Sequence, residues 1–191
     1  MLLELLKKTR TYRRFDNSKI ITDEALCSIV ESVRYTASAG NLQRIRYVTL
    51  SRISAIDAFS HVSLGGYLPK EKKPCADVAP TSYIVMLTES VEPDVNLSID
   101  IGICAEAIAL CAAELGIGAC MIRNFDREYF ASFTTGMGYY PALVVALGYP
   151  AESVKICDAK VGESLKYYKN ENETNVVPKL QLEDLIINKF N

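Results

Sequence analysis

Tryptophan is absent from this 191-residue chain, and histidine occurs once, at His61. No Cys-x-x-Cys pair occurs among Cys27, Cys75, Cys104, Cys111, Cys120 and Cys157. One histidine and scattered cysteines give no metal-ligand spacing, so no bound metal is expected. His61 stands before a Gly-rich stretch without a Ser-His-Asp or Cys-His pattern, and a surface or packing role is expected for it. Charge of one sign is missing too: 21 basic and 23 acidic residues leave a formal net charge of -2. Nothing in that balance draws the whole chain to nucleic acid or an anionic membrane, and Tyr139 and Tyr140 lack the basic stripe of a base-stacking platform. The longest apolar stretch, residues 99–121, is interrupted by Asp100, Glu106 and Glu114, which argues against a membrane span. The opening Met-Leu-Leu-Glu-Leu-Leu-Lys-Lys suits a short amphipathic helix better than a secretory signal. Reduced core thiols, with Cys104 and Cys111 on a shared buried helix face, and a cytoplasmic location follow as expectations. There is no GxGxxG after a strand and no P-loop. The Gly116-Ile117-Gly118 run follows its helix, whereas a nucleotide fingerprint precedes one.

What is present fits a folded domain: 49% hydrophobic and 23% charged residues. Residues 2–8 read as a helix, followed by a turn at Asp16, Asn17 and Ser18. Thr22 is placed to cap a second helix, with Asp23 and Glu24 in its first turn. Residues 36–41 break that helix. A strand is predicted over 46–50, a helix over 54–63, a loop over 64–79 and a strand over 81–87. The clearest element is a helix over 98–115 with a glycine stop at Gly116, and Asp100 reads as an acid favouring its start. Its alanines, Ala105, Ala107, Ala109, Ala112 and Ala113, permit close approach of another backbone, as at a subunit seam. A strand over 119–122, a helix after Asp126, a strand over 142–147 and a C-terminal arm or helix over 170–191 complete the order. The succession argues for an α+β layer structure in one domain, residues 1–191.

Two segments carry chemistry. In Arg10-Thr11-Tyr12-Arg13-Arg14-Phe15, arginines three apart beside a helix boundary could clamp a phosphate, with the Thr11 hydroxyl adding a donor. A solvated charged turn is the competing reading of that segment. In Ser38-Ala39-Gly40-Asn41-Leu42-Gln43, small residues admit a flat ligand, while Asn41 and Gln43 offer both donors and acceptors. An ordinary helix-ending turn is the competing reading. Glu106, inside an apolar helix, must be exposed, paired or hydrogen-bonded, and a solvent edge or a partner subunit is expected for it.

In order along the chain, these motifs resemble the nitroreductase family. Arg10-Thr11-Tyr12-Arg13-Arg14-Phe15 is similar to its Arg-Ser-x-Arg-x-Phe segment. Residues 38–43 match its Pro-Ser-Ala-Gly-Asn-x-Gln core, with Ala37 in the proline position. Residues 100–118 resemble its long central helix ending in Gly-Leu-Gly. Ala146-Leu147-Gly148-Tyr149-Pro150 and, later, Val177-Pro178-Lys179 complete the set. The resemblance implies a nitroreductase-like fold: a central mixed or antiparallel sheet flanked by helices, with a long helix at a homodimer interface. It implies FMN as cofactor, bound by Arg10, Thr11, Arg13, Arg123, Asn124 and Lys179 of one chain and by Ser38, Ala39, Asn41 and Gln43 of its neighbour. It also implies hydride transfer from NAD(P)H through flavin N5 to a nitroaromatic, quinone or other electron-poor acceptor, with no side chain as covalent catalyst. Thr9 stands where the family often has an arginine, Arg44-Ile45-Arg46 replaces the common Pro-Trp, and Leu180 and Gln181 lack the arginine often found beside the lysine. These departures leave open an FMN enzyme of different substrate (dehalogenation, oxidation or flavin fragmentation) and a non-enzymatic flavin-binding or redox-sensing protein.

Overall fold

A computed structural model describes residues 1–66 and 68–190. Tyr67, in the expected 64–79 loop, and Asn191, at the end of the expected arm, lie outside the described residues. The chain divides into two compact units, Met1–Ala151 and Glu152–Asn191.

The first unit is built on a four-stranded antiparallel sheet of order β1-β2-β4-β3. Its strands are β1 (Arg46–Ser51), β2 (Ser82–Thr88), β3 (Gly118–Ile122) and β4 (Tyr140–Gly148). Every residue of β2 is buried, because helices cover both faces of the sheet. Side chains alternate along a strand. Ile84 and Met86 therefore face one core with Val145, Leu147, Leu26, Ile29 and Ile108. Tyr83, Val85 and Leu87 face another with Val144, Ala146, Ala55, Ala58 and Phe130. The first layer comes from α2 (Asp23–Ser32) and α4 (Val95–Glu114), the second from α3 (Ile53–Ala58) and α5 (Arg127–Ala131). The result is the expected α+β arrangement, and the central sheet is antiparallel throughout.

The caps are those the sequence signals. The N-terminal helix α1 spans Leu2–Lys8. Thr22 accepts a hydrogen bond from the Ala25 amide at 3.2 Å, and Asp126 caps α5 through the Tyr129 amide at 3.1 Å. At the end of α4, Gly116 takes φ 74°, a left-handed conformation that closes the helix.

Several expectations are corrected. The central helix begins at Val95, capped by Asp94, whose carboxylate accepts from the Leu97 amide at 2.9 Å. Asp100 therefore lies in the second turn rather than at the start, and it is 2% exposed. The helix expected over 54–63 stops at Ala58, and the chain tightens into a 3₁₀ turn over Phe59–His61. The 64–79 stretch contains two 3₁₀ turns, Lys70–Lys72 and Ala76–Val78. All six thiols are free, as expected, but Cys27 and Cys75 are exposed rather than core residues. Cys104 is buried and Cys111, one heptad on, is half-buried.

The second unit holds a three-stranded sheet of order β5-β7-β6. It comprises β5 (Val154–Ala159), β6 (Tyr168–Lys169) and β7 (Asn175–Leu180), with β5 and β7 parallel. The arm or helix expected over 170–191 is thus a strand in its first half. Helix α6 covers only Leu182–Leu185.

Candidate functional site

The basic N-terminal segment is laid along the open edge of β3. Thr11 forms a bridge with Ala119, and the Tyr12 amide donates to the Ala119 carbonyl at 3.0 Å. Further along, Phe15 bridges Pro150, and the Asp16 amide donates to the Tyr149 carbonyl at 2.8 Å. Two glycines make room for this track. Gly118 and Gly148 are register partners across β3 and β4. A Cβ at Gly118 would stand 2.8 Å from Tyr12 Cδ2, and one at Gly148 would stand 2.7 Å from Phe15 Cδ1. The side chains of Tyr12 and Phe15 thus occupy the space that two missing methyl groups leave, and Phe15 is completely buried. Alternation about Tyr12 then turns Thr11 and Arg13 away from the Tyr12 ring.

Those residues line a cavity of about 340 Å³, at the small end of small-molecule pockets. Its walls are Thr9, Arg10, Thr11 and Arg13, the edge residues Ala119 to Ile122 in β3, then Arg123 and Asn124. Opposite them come Ser63, Gly65, Gly66, and Glu106 and Ala109 from α4. Five expected cofactor ligands, Arg10, Thr11, Arg13, Arg123 and Asn124, are therefore brought together. Arg10 donates through Nη2 to the Leu6 carbonyl at 2.7 Å, while its Nε is buried with no partner among the described residues. A buried guanidinium donor without an acceptor is costly, and the charge it carries favours an anionic group in the cavity that Arg10 lines. Glu106 is exposed to this cavity, which settles its position on an accessible side of α4.

The second expected segment lies elsewhere in the same chain. Residues 38–43 form a tight turn in which Gly40, Asn41 and Gln43 adopt φ of 57°, 53° and 48°. Left-handed φ at three of four consecutive residues is a conformation that surrounding contacts must hold in place. The Gln43 amide donates to Ser38 Oγ at 3.3 Å, and Gln43 Nε2 donates to Asn41 Oδ1 at 3.2 Å, leaving both amide side chains exposed. Ser38 and Gln43 line a separate cavity of about 440 Å³, with Thr36, Arg44, Tyr47, Asp100 and Cys104 also on its wall. At about 100° of rotation per residue, Asp100 and Cys104 lie on roughly the opposite side of α4 from Glu106 and Ala109. The two expected clusters thus flank the central helix instead of meeting.

This loop is tied to α4 by contacts that sequence reasoning missed. Asp100 Oδ1 accepts a hydrogen bond from the Ala39 amide at 3.0 Å. Arg44 grips Asp94 with two hydrogen bonds, at 2.8 and 3.3 Å. The Arg44 guanidinium, followed by the Leu97 amide, pulls the Asp94 carboxyl down to a pKa of about 2. In return the Asp94 hydrogen bond, with a smaller contribution from the Asp100 charge, raises the pKa of Arg44.

Lys179 is exposed on β7, in the second unit. His61, expected in a surface or packing role, is half-buried. Its Nδ1 lies 3.0 Å from Asp126 Oδ2, and its ring stacks on Tyr129 at 3.6 Å. The Tyr129 amide, then the His61 contact, lowers the pKa of Asp126. Among the described residues no cluster of His, Cys, Asp and Glu could hold a metal.

A family model described as the nitroreductase family matches residues 6–149. Solved structures share the fold at low identity. A nitroreductase family protein from Streptococcus pneumoniae is 17% identical over 80% of this chain and 92% of its own, with a TM-score of 0.65. An FMN-dependent nitroreductase from Clostridium difficile is 21% identical over 80% of this chain and 90% of its own, with a TM-score of 0.64. A nitroreductase family protein from Clostridium novyi is 19% identical over 78% and 85%, with a TM-score of 0.63. Among curated proteins none matches.

Proposed function

Given that this chain belongs to the nitroreductase family, we propose that it is an FMN-dependent oxidoreductase, working as a homodimer, that takes hydride from NAD(P)H and reduces a nitroaromatic, a quinone or another electron-poor acceptor. The observation that carries this reading is the cavity beside β3, whose wall brings together Arg10, Thr11, Arg13, Arg123 and Asn124, with Arg10 Nε buried and without a partner among the described residues. That donor set fits a phosphate tail and the carbonyl-bearing rim of a flavin.

FMN, when bound, supplies the chemistry itself, accepting a hydride and passing electrons on. The chain's own residues bind and orient. Arg10 and Arg13 offer fixed charge to the phosphate, and Thr11 adds a hydroxyl donor. Arg123 and Asn124 present donors where the chain leaves the sheet edge. Asn41 and Gln43, exposed at the crest of the 38–43 turn, are suited to read the polar edge of a ring from outside their own subunit.

Two features support the homodimer. The cavity beside β3 lacks the 38–43 residues of its own chain, so a second copy is the natural source of them. The outer side of α4 is also apolar and exposed, with Ile99 at 56% and Ile103 at 37%, as are Leu2 and Leu3 of α1. Six free thiols fit a reducing cytoplasm.

The test is optical. The purified protein is expected to carry FMN, and mixing it anaerobically with NADH or NADPH should bleach the flavin absorbance, which returns on addition of menadione or a nitroaromatic. Flavin that neither donor reduces would end this reading.

A further inference from the structure

We infer that Asp100 is a positioning residue for the flavin site, holding the 38–43 turn in its ligand-binding shape through the Ala39 amide, with the ion pair of Arg44 and Asp94 as a second tether. The inference rests on the functional reading above and names a residue which that reading does not use.

Three observations converge. First, the turn is conformationally demanding, with Gly40, Asn41 and Gln43 all at positive φ, so it needs external support. Second, that support comes from one helix at both ends of the turn. Ala39 binds Asp100 at 3.0 Å, and Arg44 binds Asp94 at 2.8 Å, six residues earlier at the cap of α4. Third, Asp100 is 2% exposed and its Oδ2 has no partner among the described residues. A carboxylate so placed weakens the fold on its own account, since an aliphatic side chain would bury without an unsatisfied oxygen. Among the described residues its side-chain hydrogen bond goes to the turn, and its charge acts on Arg44, the residue that closes the turn. The arrangement makes sense if the turn's geometry, rather than the core, is what Asp100 secures.

The hydrogen bond, not the charge, does the positioning, and this separates the variants. Asp100→Asn keeps a carbonyl oxygen facing the Ala39 amide, whereas Asp100→Ala removes it. FMN affinity, measured by titrating the flavin-stripped protein, is expected to fall about tenfold in Asp100→Ala and to stay within about threefold of wild type in Asp100→Asn. Arg44→Met, which alters a partly exposed pair, should lower affinity a few-fold. At saturating FMN, the visible circular dichroism of the bound flavin should differ from wild type in Asp100→Ala and match it in Asp100→Asn, a distinction that a general loss of stability would not produce. Should Asp100→Ala fail to fold, hydrogen exchange of the wild-type Ala39 amide still decides. Strong protection is expected, and exchange at the rate of an open loop overturns the proposal. Equal FMN affinity and equal flavin spectra in wild type and Asp100→Ala overturn the positioning role alone. A wild-type protein that binds no FMN overturns the functional reading and this inference together.

Discussion

Replacing Gly148 with alanine should unseat the segment that carries the cationic residues. The new Cβ would lie 2.7 Å from Phe15 Cδ1, 2.8 Å from its Cβ and 2.8 Å from its Cγ. None of these atoms is the far end of a flexible chain, and Phe15 is completely buried, so neither partner can step aside. Overpacking of this kind costs about 1–3 kcal/mol. For a chain of this length each kcal/mol lowers the melting temperature by roughly 2–4 °C, so a drop of about 2–12 °C is expected by calorimetry. The local consequence is larger than the global one. Phe15 lies two residues beyond Arg13, and its displacement drags the guanidinium and Thr11 away from the cavity beside β3. FMN affinity should therefore fall together with the melting temperature. Phe15→Leu trims the obstructing ring, so in the double variant with Gly148→Ala a large part of both losses should return, with a coupling energy of at least about 1 kcal/mol. A Gly148→Ala protein that melts with the wild type, or losses that simply add in the double variant, would refute the packing argument.

Two further outcomes are expected. Arg13→Ala should weaken FMN binding by roughly 10- to 100-fold, the scale of one charge-assisted hydrogen bond, with little change in far-ultraviolet circular dichroism; unchanged affinity would remove Arg13 from the site. The Asp94 carboxyl, lowered from 3.8 to about 2 by Arg44 first and by the Leu97 amide second, stabilises the fold in its charged form. Because the folded value lies below the unfolded one, that contribution is complete above pH 3.8 and is lost as the pH falls through about 2. Carboxyl carbon NMR should show this midpoint in wild type, and Arg44→Met should move it upward; a wild-type midpoint near 4 would contradict the tether.

Elements with strong periodicity or explicit caps were legible in the sequence: α2 behind Thr22, the short helix behind Asp126, the uninterrupted apolar β2, and the helix closed by Gly116. The order of the motifs gave the family, which the match over residues 6–149 establishes. The second unit was harder to read. β5 carries Lys155 and Asp158, and a proline inside β7 argues against a strand. Pro178 is tolerated because β6 pairs with β7 only at Asn175 and Val176, so beyond those residues one side of β7 needs no amide donor. Asp100 was misread for a related reason. An acid near the start of an apolar helix looks like a dipole partner, but Asp94 had already taken the cap, and the true partner, the Ala39 amide, lies 61 residues away in sequence. Backbone-to-side-chain contacts at that separation leave no periodic signal. Neither does a pair of glycines facing each other across two strands.

The central claim is that cationic residues of one copy and the 38–43 turn of another complete a single site. Subunit mixing tests it most directly. Arg13→Ala and Asn41→Ala proteins, each impaired in FMN-dependent NAD(P)H oxidation, are combined under conditions that exchange subunits. A mixed dimer then holds one site with both residues intact, so activity should rise well above that of either variant alone. If mixed dimers form and activity stays at the level of the parents, the two residues serve the same site from the same chain, and the composite site is contradicted.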